Sequence, residues 1–253
     1  MAMKIGAQLY TVRDHCKTLD SLSLSLKKIA EMGYRYVQLS GTCDYDAAWM
    51  QELLHSLGLT CVLTHTPAAR LTGDIGKVIA DHDTMKCRCV GLGMAKLDPE
   101  NLKDSYEGFL NTYRPVIKAL SDAGHYFMYH NHDQEFRLLE GQPLLYRMAE
   151  DLPESQFGFT VDTYWVQRGG EDPARCLERL AGRIPCIHLK DYAFGAVMSV
   201  VGEGNINFPR IFEKAEQGGT QFMLVEQDDC GGEDPFSCLK RSLAYLRAQG
   251  FGE

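Results

Sequence analysis

Eight strand-type stretches alternate with eight helix-type stretches along the chain, and strict alternation of this kind forces the strands to run parallel. The strand-type stretches are 4–9, 35–39, 59–64, 88–93, 126–130, 157–161, 184–189 and 221–226. The helix-type stretches are 18–32, 43–57, 72–86, 99–123, 142–150, 171–181, 207–217 and 234–248. With 253 residues in eight units, each unit averages about 32 (253/8). The predicted fold is α/β: a (β/α)8 TIM barrel over residues 1–253, read as a single domain. A doubly wound open sheet fits less well. GLGMAK (91–96) lacks the third glycine of a dinucleotide fingerprint, and no acidic residue ends the next strand at the needed place.

Local signals support the helices. In the first, Leu22, Leu26, Ile29 and Ala30 share one face, and Gly33 is placed to stop it. Asp98-Pro99, Asp172-Pro173 and Asp234-Pro235 each read as an N-cap followed by proline at the first helical position.

In such a barrel the chemistry sits at the C-terminal ends of the strands. Those ends read Gln8-Leu9-Tyr10, Gln38-Leu39-Ser40, Thr64-His65-Thr66 and Gly91-Leu92-Gly93 in the first half. In the second half they read His130-Asn131-His132 with Glu135 beyond, Asp162, His188-Leu189-Lys190-Asp191, and Glu226-Gln227-Asp228. Four consecutive strands thus carry apolar runs into metal-ligand residue types. Two carboxylates with one or two imidazoles suit a single divalent ion, Mn2+, Co2+, Zn2+ or Mg2+. Alternation along the fifth strand sends His130 and His132 to one side and Asn131 to the other.

Composition narrows the partners. The formal net charge is −8, which argues against a nucleic-acid partner, because phosphate binding calls for a basic surface. No apolar run approaches the ~18 residues of a membrane span. The nine cysteines are scattered with no CxxC pair, so reduced thiols and a cytoplasmic setting are expected.

VDTYWVQRGGEDP, HLKDY followed by VGEGNINFPRI, and VEQDD together resemble the sugar phosphate isomerase/epimerase superfamily of xylose isomerase-like barrels. QLYTVRD and YHNHDQEF narrow the likeness to a branch with inosose dehydratase-like and 3-keto-glycoside-processing proteins. The resemblance covers nearly the whole chain. It implies a metal held by Glu, Asp, His and Glu from strands five to eight, matched here by Asp162, His188 and Glu226, with His130 where the first Glu usually stands. His132 or Glu135 can complete that set instead. It also implies a sugar, keto-sugar or polyol substrate and, since such barrels often pair, a homodimer.

The expected catalytic residues are His130, His132, Lys190 and Glu226. The expected substrate contacts are Gln8, Tyr10, His65, Trp165, Lys190 and Glu203, the last in a Gly202-Glu203-Gly204 loop that would cover the ligand. Trp165 and Tyr164 can wall the pocket or pack under that loop. Each residue also has a plainer reading: Asp162 as a helix cap, His188 as a core histidine, Glu226 as an ion-pair partner of Lys190 or Arg13, Lys190 as a surface lysine. The activity expected is proton abstraction next to a carbonyl. With His130 in place of a carboxylate, a single-base elimination by a dehydratase or lyase is favoured over the two-carboxylate exchange of an epimerase. Alternatives are a sugar isomerase or epimerase, and a non-catalytic sugar-binding barrel.

Overall fold

A computed structural model describes residues 3–252. Eight strands form where apolar, β-branched runs predict them: β1 (Lys4–Gln8), β2 (Tyr36–Leu39), β3 (Thr60–His65), β4 (Cys89–Leu92), β5 (Tyr126–His130), β6 (Phe157–Asp162), β7 (Cys186–Leu189) and β8 (Phe222–Val225). Each pairs in parallel with its sequence neighbours, and β8 returns to β1, closing the barrel. The closing register runs from Lys4 opposite Phe222 to Ala7 opposite Val225, so Gln8 arrives level with Glu226. Asp162 lies opposite His188 across the β6–β7 pair.

The outer layer holds ten helices among the described residues: α1 (Leu19–Met32), α2 (Ala47–Ser56), α3 (Ala68–Gly73), α4 (Ile75–Met85), α5 (Leu102–Asp122), α6 (Leu144–Asp151), α7 (Thr163–Arg168), α8 (Pro173–Arg179), α9 (Phe208–Gln217) and α10 (Pro235–Ala248). Gly33 ends α1 in a left-handed conformation, φ 107°. Asp172 and Asp234 cap α8 and α10 with proline in the first turn, as expected. Asp98-Pro99 does not start a helix. Asp98 accepts from the Glu100 N–H and the Asn101 amide in a turn, and α5 begins at Leu102. The stretch 72–86 holds a break at Asp74, whose carboxylate caps α4 through the Lys77 N–H.

Two apolar layers support the site. The larger lies between strands and helices. The smaller fills the barrel itself with Leu63, Cys89, Tyr126, Met128, Cys186 and Leu224, below the level of the strand ends. Among the described residues no helix is long and apolar enough to cross a membrane.

Candidate metal centre and active site

His130, Asp162, His188 and Glu226 converge above the apolar plug. Each is buried and offers one ligand atom, and the four atoms lie within 4.8 Å of one another. The parallel register accounts for this, because adjacent strands deliver the side chains at one level and facing inward.

Hydrogen bonds behind the donors set their tautomers. His130 Nδ1 is 2.9 Å from the Gly93 carbonyl, which only accepts, so that nitrogen carries the proton. Nε2 then faces Asp162 Oδ2 at 3.3 Å. His188 Nε2 donates to Gln38 Oε1 at 2.6 Å, leaving Nδ1 for the cluster. Asn131 points away from the site, and its side-chain oxygen accepts the Asp162 N–H at 2.9 Å. Asp162 is both a cluster member and a cap: Oδ1 takes the Trp165 N–H that opens α7, while Oδ2 faces the histidines. Its functional and structural readings are therefore compatible.

The donor set fits a cation. His188 Nδ1 and Glu226 Oε2 lie 2.8 Å apart, close but misaligned for a hydrogen bond, and both are buried without a hydrogen-bond partner. A cation in that position would engage both atoms. A divalent ion bound there would polarise a substrate carbonyl as a Lewis acid.

Positive charge from the chain is already close. Lys190 is 1% exposed, and its ammonium lies 3.0 Å from Asp162 Oδ2, 3.1 Å from Glu226 Oε2 and 2.9 Å from Asp228 Oδ2. It is not a surface lysine, and the Glu226–Lys190 pair is buried, not on the rim. Burial opposes the lysine's charge, but the three carboxylates outweigh it and raise its pKa. Burial likewise pushes Asp162 and Glu226 up, yet Lys190 and the histidines hold both well below the usual carboxylate range. For His188, burial presses downward and Glu226 and Asp162 reverse it, so its pKa is raised.

A cavity of about 540 Å3 opens above the cluster, within the usual size of small-molecule sites. Tyr10, His65, His132, Trp165, Lys190 and Glu226 line it. Burial, then the neighbouring His130, lowers the His132 pKa to about 3, so its imidazole is neutral; its Nδ1 is buried without a partner. Glu135 belongs to the wall: Tyr129 donates to Oε1 and the His132 N–H to Oε2. It therefore stands outside the donor cluster, as does His132. Tyr164 packs under the hairpin formed by Asp191–Ala193 and Val197–Ser199, donating to the Ala196 carbonyl at 2.6 Å.

Two expected substrate contacts lie elsewhere. Gln8 is fully buried, donates to Glu226 Oε1 at 2.7 Å and accepts the Tyr10 N–H, so it supports Glu226 from behind. Glu203 is exposed and paired with Arg241 at 2.8 Å, away from the cavity. The loop glycines approach protein closely, Gly202 beside Tyr245 and Gly204 beside Asp191. Gly202 and Gly204 donate their N–H groups to Asp191, which ties the loop down.

Three residues carry roles that their sequence context did not assign. Gln38 and Asn131 orient donors, and nothing in an isolated amide marks such a role. Asp228 faces the cavity beside Lys190, with its carboxyl pushed up to about 6 by burial and then by Glu226. The spacing of Glu226 and Asp228 in VEQDD was the signal for it.

Comparison with known proteins agrees with the fold. The family model described as xylose isomerase-like TIM barrel matches residues 26–249. No curated protein sequence matches the chain. Among solved structures, a sugar phosphate isomerase/epimerase from Parabacteroides distasonis ATCC 8503 is 20% identical with TM-score 0.83, covering 100% of this chain and 96% of that one. The probable 3-DHS dehydratase of petrobactin synthesis from Bacillus anthracis is 13% identical with TM-score 0.74, covering 97% of each. D-psicose 3-epimerase from Clostridium cellulolyticum H10, solved with D-tagatose, is 13% identical with TM-score 0.71, covering 97% of this chain and 99% of that one. At these identities the likeness is one of fold. The matched family model spans most of the barrel, and the chain is an enzyme of the xylose isomerase-like TIM barrel family.

Proposed function

We propose that the protein is a divalent-cation-dependent enzyme that removes a proton next to the carbonyl of a sugar, keto-sugar or polyol-derived substrate, and that elimination by a dehydratase or lyase is its reaction. The observation that carries this is the donor set itself, two imidazoles and two carboxylates buried within 4.8 Å. Its two negative charges leave a bound divalent ion more positive than three carboxylates would. Only Glu226 and Asp162 remain as anionic members, so exchange between two opposed glutamates is not supplied.

The roles divide as follows. His130, with Nδ1–H committed to Gly93, serves as a ligand and not as the base. His132 is the base by position: it lines the cavity over the cluster and keeps Nδ1 without a partner. Lys190 steadies negative charge developing on a substrate oxygen. Tyr10, His65 and Trp165 shape the cavity wall. A small-molecule partner, no nucleic acid, a homodimer and the cytoplasmic setting inferred from the cysteine pattern belong to the same proposal.

The test is metal analysis of the purified protein, followed by proton NMR in D2O with keto-inositols, ketohexoses and 3-keto-glucosides. An unsaturated ketone with release of water or alcohol is the expected product. Deuterium exchange at the carbon beside the carbonyl, with no elimination on any probe, would identify an isomerase or epimerase instead. His132→Phe should retain the metal and lose roughly 10²-fold or more in kcat, the usual contribution of a general base.

A further inference from the structure

The cavity over the donor cluster has a neighbour on the far side of His65. Ser40, Gly41, His65, Thr66 and Pro67 also border a second chamber of about 390 Å3, which lies between the ends of β2 and β3 and helix α4. One sugar ring does not need this space. A six-carbon sugar has about twelve heavy atoms. Even at the ~30 Å3 that a water takes in the liquid, these fill roughly 360 Å3. The first cavity, at about 540 Å3, therefore accommodates the whole ring.

The chamber's chemistry selects its occupant. Its charged side chains are Arg70 and Lys77 against Asp44 and Asp81, two positive and two negative. Both cations are committed to Asp81, Arg70 at 2.6 Å and Lys77 at 2.5 Å. A phosphate needs free donors with excess positive charge, and this chamber has neither. His82 is also engaged, to the Val78 carbonyl through Nδ1 and to Thr64 through Nε2. The remaining polar lining is neutral: the hydroxyls of Ser40, Thr42, Tyr45 and Thr66 and the Cys43 thiol, with Ser40 bonded to His65 Nδ1 at 3.2 Å and Thr66 to Thr64 at 2.9 Å. His65, on the shared wall, has a buried Nε2 without a partner.

We propose that this chamber is a second saccharide subsite, so that the substrate is a neutral two-unit carbohydrate. Its carbonyl-bearing ring lies over the donor cluster, and its second polyhydroxyl unit lies beyond His65. This rests on the reading of a sugar-processing enzyme given above.

The experiment uses the Mn2+-loaded protein and compares kcat/KM for 3-ketoglucose, its methyl glycoside, a 3-keto-disaccharide and a ketohexose 6-phosphate. The disaccharide is expected to exceed the methyl glycoside at least tenfold. Thr42→Trp, which fills the chamber, should bring that ratio close to one. Equal rates for the two glycosides in the native protein, or a tenfold preference for the phosphate, would overturn the subsite. Absence of turnover on every probe would overturn the functional reading alone. Calorimetry would then decide the subsite: a disaccharide Kd at least tenfold below that of the methyl glycoside supports it, and equal affinities refute it.

Discussion

Lys190 sets the behaviour of the donor cluster more than any other single residue. It is enclosed by Asp162, Glu226 and Asp228, each within 3.1 Å of its ammonium. Removing one partner from a buried charge group leaves the others uncompensated, at a loss of about 3–5 kcal/mol. Lys190→Met should therefore lower the melting temperature of the metal-free protein by roughly 10 °C. Added Mn2+ should recover most of that loss, because it restores positive charge between the carboxylates. Calorimetric melting with and without the ion checks this; an unchanged metal-free melting temperature would show that Lys190 does not neutralise the cluster. The donors themselves were legible in the sequence, since His, Asp and Glu stand out at the ends of apolar runs. Their supports were not. Gln8 reads as a substrate contact until the β1–β8 register sets it behind Glu226. Glu203 reads as a pocket residue until Arg241, distant in sequence, draws it outward.

At the scale of elements, two junctions link helices to the site. Asp162 ends β6 and caps α7 through the Trp165 N–H. Asp162→Asn keeps an oxygen for the cap and loses the charge, whereas Asp162→Ala loses both. Both variants should lose metal, and the alanine variant should be less stable than the asparagine variant by about 1 kcal/mol, the usual worth of a cap. Urea unfolding of the pair in chelator checks the difference. The second junction is His82 on α4, hydrogen-bonded to Thr64 on β3 at 2.9 Å. Burial lowers its pKa to about 4 from 6.5. The unfolded chain therefore binds the proton more readily, and His82 stabilises the fold fully above pH 6.5. That contribution fades as the pH falls toward 4, by up to roughly 3 kcal/mol. His82→Gln should flatten the stability–pH curve in that window; an unchanged slope would contradict it. Strands and long helices were legible because their residue patterns repeat over many positions. The short α3 was missed, and α7 was foreseen only as a helix for Asp162 to cap, because six residues show no period. Asp98-Pro99 misled because the same pair suits a turn as well as a cap.

On the scale of the whole molecule, the barrel separates stability from chemistry along its axis. Leu63, Met128 and Leu224 fill the interior below the donors. Leu63→Ala should destabilise the protein by about 2–5 kcal/mol while metal stoichiometry stays at that of the native protein. Chemical denaturation together with metal analysis tests this, and loss of metal at unchanged stability would place the plug within the site. Eightfold closure was legible from the count of alternating units. The two-chambered mouth was not, because it depends on how the loops after β2 and β3 lie against α4, and those loops have no repeating pattern.

The two glutamine supports have a consequence for how the molecule comes together. Gln8 and Gln38 come from the first two strands, yet they hold Glu226 and His188 on the last two. These two donors and their glutamine holders meet only across the seam where the ring closes. During synthesis, a chain that has emerged only as far as β7 has Gln8 in place with nothing to hold. Metal affinity is then a report on completion of the circle, and the ion would act as a clasp that favours the closed ring over every partly wound one.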